Sequence, residues 1–319
     1  MSATTPLQLS QFAFDVSEGL SSAGQKRIPP RYFYDDLGST LFEAITLLPE
    51  YGLTRAEERL LQSYARDIVS VTGPLAAVAE LGSGSGLKTR HVLQAALRSQ
   101  PHLTYHPIDV SAGALTACER QVSDFAKVEP VCGDWMDGLA QIARSRTSDE
   151  PLLLLFLGSS IGNISRRELP GFVQKVRSHL RPGDFFLLGL DLIKETDRML
   201  LAYDDPTGVT AAFNLNLLGR INRELDGNFD LRSFHHEVWW DKDERRIEMH
   251  LRSLQDQTIS VAALDSEFHF RKGETIWTES SHKFAEDQVS ALALSNGFSP
   301  ESRWIDEEWS FAEVLWRAE

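Results

Sequence analysis

Glu80-Leu81-Gly82-Ser83-Gly84-Ser85-Gly86 is the stretch that decides the fold, because it sets three alternate glycines directly after the apolar run Ala76 to Leu81. Glycine accepts positive φ and lets a ligand come close to the backbone. A strand, a glycine-rich turn and then a helix, here beginning near Lys88, form the usual nucleotide-type ligand site of an α/β sheet. A dinucleotide fingerprint requires G-x-G-x-x-G, and Leu87 occupies the place of its last glycine, which argues against NAD.

Apolar strands and helix-length segments alternate on both sides of this loop. The predicted strands are 76–81, 103–110, 128–132, 152–157 and 185–192. Upstream, Thr54-Arg55-Ala56-Glu57 has capping-box spacing, and the apolar residues from Leu60 to Val69 recur on one helical face, which predicts a helix from Thr54. Continuous apolar strands that alternate with helices indicate a parallel sheet buried on both faces.

After Leu192 the pattern changes to helical segments within 194–225 and then to alternating strands such as 247–251. In the predicted strand 276–281, alternation places Trp277, Glu279 and Ser281 on one face. A helix at 286–294 and strands at 302–305 and 311–316 predict an antiparallel hairpin that completes the first sheet. The first 30 residues are predicted to form an arm.

The predicted fold is therefore α/β, with one core domain interrupted by a discontinuous α+β domain. The core comprises residues 54–192 plus 284–319, and the second domain, a lid expected to bind substrate, comprises 1–53 plus 193–283.

Composition and charge exclude several classes of protein. The chain has 319 residues, of which 42% are hydrophobic and 24% charged, and its strongest apolar run, 152–157, is too short to cross a bilayer. No secretory signal precedes the fold, and two cysteines build no disulfide framework, so a cytoplasmic setting is expected. The net charge of −14 disfavours nucleic acid as a partner. No metal-ligand spacing is present, and the adjacent His235 and His236 face opposite ways on a predicted strand.

The pattern E-x-G-x-G-x-G resembles the first motif of class I (Rossmann-like) methyltransferases, which use S-adenosyl-L-methionine (SAM) as co-substrate. In those enzymes an acid at the end of the second strand takes the ribose hydroxyls, and Asp109 stands there. Asp134 and Trp135, after the third strand, suit the amino group and ring face of adenine. Each feature alone also fits a plain turn, a solvated strand end or a core aromatic. Their order at three successive strand ends favours one ligand site.

The segment after the fourth strand is where such enzymes contact the methyl acceptor. Nucleic-acid N-methyltransferases carry an Asn or Asp, two prolines and an aromatic there, whereas this chain has Gly158-Ser159-Ser160-Ile161-Gly162-Asn163. That absence and the negative charge both argue for a small acceptor. The Asn163 amide can donate to a carboxylate or accept from an amine.

Long motifs between Pro29 and Phe284 carry a more specific resemblance. They are Arg31 to Ser39 (RYFYDDLGS), Leu48 to Arg55 (LPEYGLTR), Glu80 to Gly84 (ELGSG), Gly158 to Asn163 (GSSIGN), Ala202 to Asp205 (AYDD), Gly208 to Asn214 (GVTAAFN), Arg246 to Met249 (RIEM) and Thr278 to Phe284 (TESSHKF). With these motifs the chain closely resembles the L-histidine Nα-methyltransferases of ergothioneine biosynthesis, which trimethylate the α-amino group of histidine to give hercynine.

The resemblance implies a role for each matched residue. Asn163 and Tyr203 would hold the substrate carboxylate, and Glu279 and Ser281 the imidazole, while Tyr34 would lie near the reacting amine as the catalytic group. Further substrate-binding residues implied are Tyr51, Gly158, Thr210 and Met249. The cofactor-binding residues implied are Glu80, Gly82, Gly84, Lys88, Asp109, Asp134 and Trp135. The chain departs from the family at Ser85-Gly86-Leu87, where Thr-Ser-Glu is common, and at Ser280-Ser281-His282, where Val-Ser-Cys is common.

Strand alternation independently puts Glu279 and Ser281 on one face, where a carboxylate and a hydroxyl match the N–H and the acceptor nitrogen of an imidazole. The expected reaction is direct attack of the neutral amine on the cofactor methyl, with Tyr34 relaying the proton and aromatic faces tolerating the new methylammonium. The expected partners are free L-histidine and SAM, with no nucleic acid, no membrane and no metal, and the protein is expected to be a monomer. Two alternatives stay open: another amino-acid acceptor such as tryptophan, and a non-catalytic SAM-binding regulator.

Overall fold

The computed structural model describes residues 10–319. The α-helices are α1 (Gln11–Leu20), α2 (Asp36–Thr46), α3 (Gly52–Thr72), α4 (Arg90–Leu97), α5 (Ala112–Val122), α6 (Trp135–Ser145), α7 (Leu169–His179), α8 (Thr196–Tyr203), α9 (Val209–Leu225) and α10 (Glu286–Ser295). The strands are β1 (Lys26–Arg27), β2 (Ala77–Leu81), β3 (Thr104–Asp109), β4 (Lys127–Val128), β5 (Val131–Cys132), β6 (Leu152–Phe156), β7 (Phe185–Asp191), β8 (Phe234–Asp241), β9 (Arg246–Ser253), β10 (Gln257–Val261), β11 (Ser266–Phe270), β12 (Thr275–His282), β13 (Phe298–Asp306) and β14 (Phe311–Ala318).

The chain divides into two compact units, each assembled from separate segments. Unit 1 comprises Met1–Leu48, Met199–Asp241 and Ile247–Ser280. Unit 2 comprises Pro49–Arg198, Lys242–Arg246 and Ser281–Glu319.

Unit 2 is built on one large sheet with the order β13-β14-β7-β6-β2-β3-β4, and β5 pairs with β3 beside β4. Strands β7, β6, β2 and β3 run parallel, whereas β14 is antiparallel to both β7 and β13. Every residue of β2, β6 and β7 is buried. The structure thus confirms the predicted class I methyltransferase core, a parallel sheet that ends in an antiparallel hairpin.

Alternate residues of the central strands feed two apolar cores, one on each face of this sheet. Leu152, Leu154 and Phe156 pack with apolar residues of α6, α7 and α10. Leu153 and Leu155 pack with apolar residues of α3, α4 and α5. This two-sided burial is what makes the strand sequences continuously apolar.

Unit 1 contains a four-stranded sheet of order β1-β12-β9-β8 and the two-stranded ribbon β10-β11. The predicted N-terminal arm is wrong for residues 10–30. Helix α1 is capped by the Ser10 hydroxyl and buries Phe12, Val16 and Leu20, while β1 pairs in parallel with β12. The apolar residues recur every fourth position over a single short helix, a weaker signal than the adjoining glycine-rich and basic stretch. The part of the arm before residue 10 lies outside the described residues.

The predicted start of α3 also needs correction. The helix begins at Gly52 with Tyr51 in the N-cap position and no side-chain cap, so Thr54 and Glu57 form no capping box. Glu57 is fully buried instead, and its partners, described below, show why the sequence has an acid there.

Candidate functional site

The glycine loop after β2 lies in unit 2, fixed against the end of β3. Gly82, Gly84 and Gly86 have φ of 71°, 51° and 71°, the left-handed region that favours glycine. The Gly82 amide donates to the Ile108 carbonyl at 2.8 Å, and the Gly84 amide donates to Asp109 Oδ2 at 3.1 Å. A Cβ built on Gly84 meets no atom within 4 Å. The middle of the loop therefore leaves the open backbone approach that a bound cofactor requires.

Asp109 ends β3 beside this loop, as the sequence predicts. Its Oδ1 accepts from the Ser111 amide at 2.9 Å, so both carboxylate oxygens already accept one backbone N–H. Burial raises the pKa of Asp109, and the backbone hydrogen bonds act in the opposite direction. Two oxygens with further lone pairs can still receive two vicinal hydroxyls.

Asp134 and Trp135 stand at the start of α6, close to the same loop. Asp134 is exposed and caps the helix, its Oδ1 accepting from the Met136 amide at 2.9 Å. The half-buried Trp135 ring packs edge-on against Phe156, with centroids 4.9 Å apart. Its Nε1 lies 3.4 Å from the position a Cβ would take on Gly82. The helix and the core thus hold the indole beside the loop, in the setting expected of an adenine-contacting aromatic.

Glu80, on β2 just before the loop, has a buried carboxyl group. Thr89 Oγ1 and the Tyr105 hydroxyl both donate to Glu80 Oε2, at 2.6 and 2.5 Å. Burial raises the pKa of Glu80 to about 7, although the two hydrogen bonds and the Lys88 charge act against that rise. The carboxyl group therefore joins the first turn after the loop to the neighbouring strand.

Lys88 forms an ion pair with Glu57 of α3, an acid that the sequence interpretation did not assign to the site. Glu57 Oε1 also accepts from the Gly158 amide at 2.5 Å, and a Cβ built on Gly158 would lie 3.6 Å from Lys88 Nζ. One carboxylate thus joins Lys88, which follows the glycine loop, to the turn after β6. The signal in the sequence was an acid on the apolar face of α3, between Leu53 and Leu60.

A second buried acid, Glu313 of β14, accompanies Glu57. Burial raises the pKa of Glu313 well above its ordinary value, and the Glu57 charge acts in the same direction. Both influences favour the protonated, neutral form of Glu313. It lies in β14, a strand that the sequence predicted. The sequence pattern of that strand does not show that the Glu313 side chain is buried.

The remaining predicted acceptor residues of unit 2 lie at the ends of its elements. Tyr51 is buried at the start of α3, Gly158 has φ of 73°, and Asn163 ends a short 3₁₀ turn and is half-buried. Ser281 is buried in β12, where its Oγ accepts from Lys283 Nζ at 3.0 Å.

His282, one of the departures from the family pattern, adds no charge near neutral pH. Its Nδ1 lies 3.2 Å from the Glu244 carbonyl oxygen, which fixes Nδ1 as the protonated nitrogen. Burial lowers the pKa of His282 below its ordinary value, and the Arg246 and Arg166 charges act in the same direction. The ring is neutral and held by the backbone.

Unit 1 holds the other predicted acceptor residues. Tyr34 is half-buried among aromatic rings, 5.7 Å from Phe42 and 6.0 Å from Phe213 between centroids. Thr210 is buried, and its amide donates to Asp205 Oδ1 at 2.8 Å.

Tyr203, Met249 and Glu279 are held by backbone contacts in the same unit. His236 Nε2 lies 2.9 Å from the Tyr203 carbonyl, and Thr278 Oγ1 lies 3.0 Å from the Met249 carbonyl oxygen. The half-buried Glu279 accepts at its carbonyl from Trp277 Nε1, at 2.8 Å.

Buried Asn214 organises this part of unit 1, and the sequence interpretation gave it no role. Its Nδ2 donates to His236 Nδ1 at 2.8 Å, and its Oδ1 accepts from Thr278 Oγ1 at 2.7 Å. Burial lowers the pKa of His236, so a neutral imidazole donates from Nε2 to Tyr203. Asn214 on α9 thus connects directly to β8 and β12, and through His236 to α8.

Two features are absent from residues 10–319. No helix there is long and apolar enough to span a membrane. In the same range, no cluster of three His, Cys, Asp or Glu side chains could hold a metal ion.

Comparison with known proteins gives three informative relatives. The chain is 41% identical to the histidine N-alpha-methyltransferase of Mycolicibacterium smegmatis, over 94% of this chain and 93% of that protein. It is 28% identical to ergothioneine biosynthesis protein 1 of Neurospora crassa, over 88% of this chain and 32% of the longer protein. It is 24% identical to the L-tryptophan methyltransferase of Psilocybe serbica, over 95% of this chain and 92% of that protein.

A family model described as histidine-specific methyltransferase, SAM-dependent, matches residues 12–318. The match spans the glycine loop, Asp109, the turn after β6 and strand β12. The chain therefore belongs to the SAM-dependent, histidine-specific methyltransferase family.

Proposed function

We propose that the protein is a SAM-dependent N-methyltransferase that trimethylates the α-amino group of L-histidine to hercynine, a step of ergothioneine biosynthesis. The observation that carries the proposal is strand β12, which presents Glu279 and Ser281 two residues apart and so on one strand face. An imidazole offers one N–H and one acceptor nitrogen, the complement of a carboxylate and a hydroxyl.

Unit 2 supplies the proposed cofactor site. Gly82 and Gly84 leave their backbone open to the ligand, Asp109 would receive the ribose hydroxyls, and Asp134 and Trp135 would contact adenine. Lys88, paired with Glu57, and Glu80 complete the loop surroundings. When bound, SAM supplies a methyl group activated by its positively charged sulfur.

The residues proposed for the acceptor are those that the family resemblance implies. Asn163 and Tyr203 would hold the substrate carboxylate, and Glu279 and Ser281 the ring. The proposed walls of the site are Tyr51, Gly158, Thr210 and Met249. Unit 2 would then be the SAM-binding core and unit 1 the substrate-binding domain.

For this reaction the protein must align the amine with the SAM methyl group and remove a proton from the ammonium form of the amine. A protonated amine has no lone pair to attack with, so the ammonium must lose a proton before each transfer. We assign the relay to Tyr34, through water, because its phenol stands in an aromatic setting in which Phe42 and Phe213 fix the ring. The faces of Tyr34 and Tyr51 also favour a methylammonium through cation–π attraction.

The deciding experiment incubates the protein with SAM and a panel of free amino acids and follows the gain of methyl units by mass spectrometry. We expect three methyl units on histidine and none on tryptophan. The resemblance to the L-tryptophan methyltransferase makes tryptophan the second candidate, and gain there alone would contradict the histidine assignment. Binding of SAM with no methyl transfer to any amino acid would favour the alternative that the protein is a non-catalytic, SAM-binding regulator.

We further propose that the enzyme acts as a monomer in the cytoplasm on free histidine, without a nucleic-acid or membrane partner. The net charge of −14 supports this proposal because it repels phosphate-rich surfaces. The described cysteines, Cys118 and Cys132, are both free thiols, as a reducing compartment favours.

A further inference from the structure

Two carboxyl groups, Glu57 of α3 and Glu313 of β14, meet in the interior of unit 2. Both residues are at least 99% buried. Gly189 stands opposite Glu313 where β14 pairs with β7. A Cβ built on Gly189 would collide with Glu57 Oε1 and would lie 3.3 Å from Glu313 Oε1. The glycine therefore leaves the space in which the two acids approach each other.

The two acids differ in their partners. Glu57 has those of an ionised carboxylate, because its Oε2 pairs with Lys88 and its Oε1 accepts from the Gly158 amide at 2.5 Å. Both Glu313 oxygens are buried, and no N–H or O–H donor among residues 10–319 reaches them. A buried carboxylate without a donor is costly, whereas a carboxylic acid can itself donate to a neighbouring acceptor. Glu57 lies within hydrogen-bond contact of Glu313 and is such an acceptor.

The charges around Glu313 favour the same assignment. Burial raises the pKa of Glu313 well above its ordinary value, and the charges of Glu57 and Glu80 act in the same direction, whereas the Lys88 charge acts against them. Two ionised acids beside one ammonium group would leave a negative charge unbalanced in the interior. One acid and one carboxylate balance Lys88 exactly once.

We propose that Glu313 is a positioning residue that donates its carboxyl proton to a hydrogen bond with Glu57, so that the two acids present a single negative charge to Lys88. This inference rests on the proposed function, because it takes Lys88 as a cofactor residue. Lys88 is the one cation in the proposed cofactor set, and 23% of its side chain is exposed. SAM carries an α-carboxylate that an ammonium group can receive. An ionised Glu313 would oppose that carboxylate.

Infrared difference spectroscopy tests the shared proton directly. Wild type is compared with Glu313→Gln at pH 7.5, without ligand. We expect the C=O stretch of a protonated carboxyl group in the wild type only, shifted to lower frequency in D2O. Glu80 is present in both proteins, so its own signal cancels. A difference spectrum that contains only ionised-carboxylate bands would overturn the inference.

Calorimetry with S-adenosylhomocysteine, which keeps the α-carboxylate of SAM, tests the effect on Lys88. In Glu313→Leu the donor is lost, Glu57 attracts Lys88 more strongly, and the Kd should rise about fivefold. Glu313→Gln supplies an uncharged amide donor of the same size and should restore the Kd to within about twofold of the wild type. Glu57→Gln, the same substitution on the ionised partner, removes the counter-ion of Lys88 and should raise the Kd more than about tenfold.

The contrast between the two Gln variants decides the assignment. Glu313→Gln that weakens binding as much as Glu57→Gln would mean that Glu313 carries a charge, and the inference would fail. A folded Glu313→Leu protein with the wild-type Kd would also overturn it. Absence of S-adenosylhomocysteine binding by the wild type would instead refute the proposed function, and with it the role given to Lys88.

Discussion

Glu279 is the residue on which the proposed choice of acceptor depends most directly. Replacing Glu279 with Ala would remove the proposed charge-assisted hydrogen bond to the ring N–H, a bond worth about 1.5–3 kcal/mol. We expect the KM for histidine to rise by about one to two orders of magnitude in steady-state assays with SAM saturating. Glu267→Ala, an exposed acid on β11 of the same unit, is the matched control and should change nothing. An unchanged KM in Glu279→Ala would remove this residue from the site.

Glu80 predicts a pH dependence of stability. Its pKa is about 7 in the folded chain against an ordinary 4.5, so the folded state binds more protons than the unfolded state between these values. The free energy of unfolding should therefore fall as pH rises from 4.5 to 7, by about 3 kcal/mol from this group alone.

Glu80→Gln isolates this effect, because one amide oxygen can accept from both Thr89 and Tyr105. We expect the variant to gain about 3 kcal/mol on the wild type between pH 5 and pH 8 in urea unfolding. Glu267→Gln should show no such change. A constant difference between wild type and Glu80→Gln across that range would mean that Glu80 is ionised in the folded protein.

Among single residues, the sequence correctly predicted those that end strands. It did not predict the charged residues that are buried in the interior. Asp109 and Trp135 follow apolar runs, so their place at the sheet edge could be predicted. The burial of Glu57 and Glu313 could not, because an acidic residue is ordinarily exposed and only the packed structure shows that these two are buried together.

Among the elements, the glycine loop predicts two different outcomes for similar substitutions. Gly86→Ala combines a left-handed φ with a Cβ only 2.6 Å from Cys118 Sγ, whereas Gly84→Ala meets open space. We expect Gly84→Ala to cost about 1–2 kcal/mol of stability from backbone strain alone, and Gly86→Ala to cost more.

Cofactor binding should follow the opposite order. A Cβ on Gly84 would occupy the open approach to the loop, so Gly84→Ala should weaken SAM binding in calorimetry, about tenfold or more, at a small change in Tm. Equal Tm losses for the two variants, with SAM binding retained in Gly84→Ala, would contradict the loop assignment.

Elements with a strong period were predictable, and elements fixed by their packing were not. Strands β2, β6 and β7 are buried on both faces, so their sequences are apolar throughout and their ends were placed to within a residue. Helix α3 was recognised, but its start was misplaced because Thr54 and Glu57 mimic a capping box. Helix α1 was missed because three apolar residues over one short helix give little period to detect.

For the whole molecule we predict a single chain in solution. The exposed large apolar side chains of the described residues, such as Leu47, Val110 and Leu294, come from separate elements, and single exposed apolar residues are normal on soluble surfaces. The net charge of −14 also opposes self-association. Light scattering coupled to gel filtration should give a mass near 35.8 kDa. A mass twice that value, independent of protein concentration, would contradict the monomer.

Strand β14 has a consequence for how the protein is made. It lies between β13 and β7, and it is formed by residues 311–318. A ribosome that has already released β2, β6 and β7 therefore still leaves the β7 edge of the sheet without its partner, with both apolar faces in place and unpaired backbone groups along that edge. Such an edge invites pairing with other nascent chains. The sheet can therefore close only after residues 311–318 have been made, and premature termination within this strand should yield aggregates rather than a shortened enzyme.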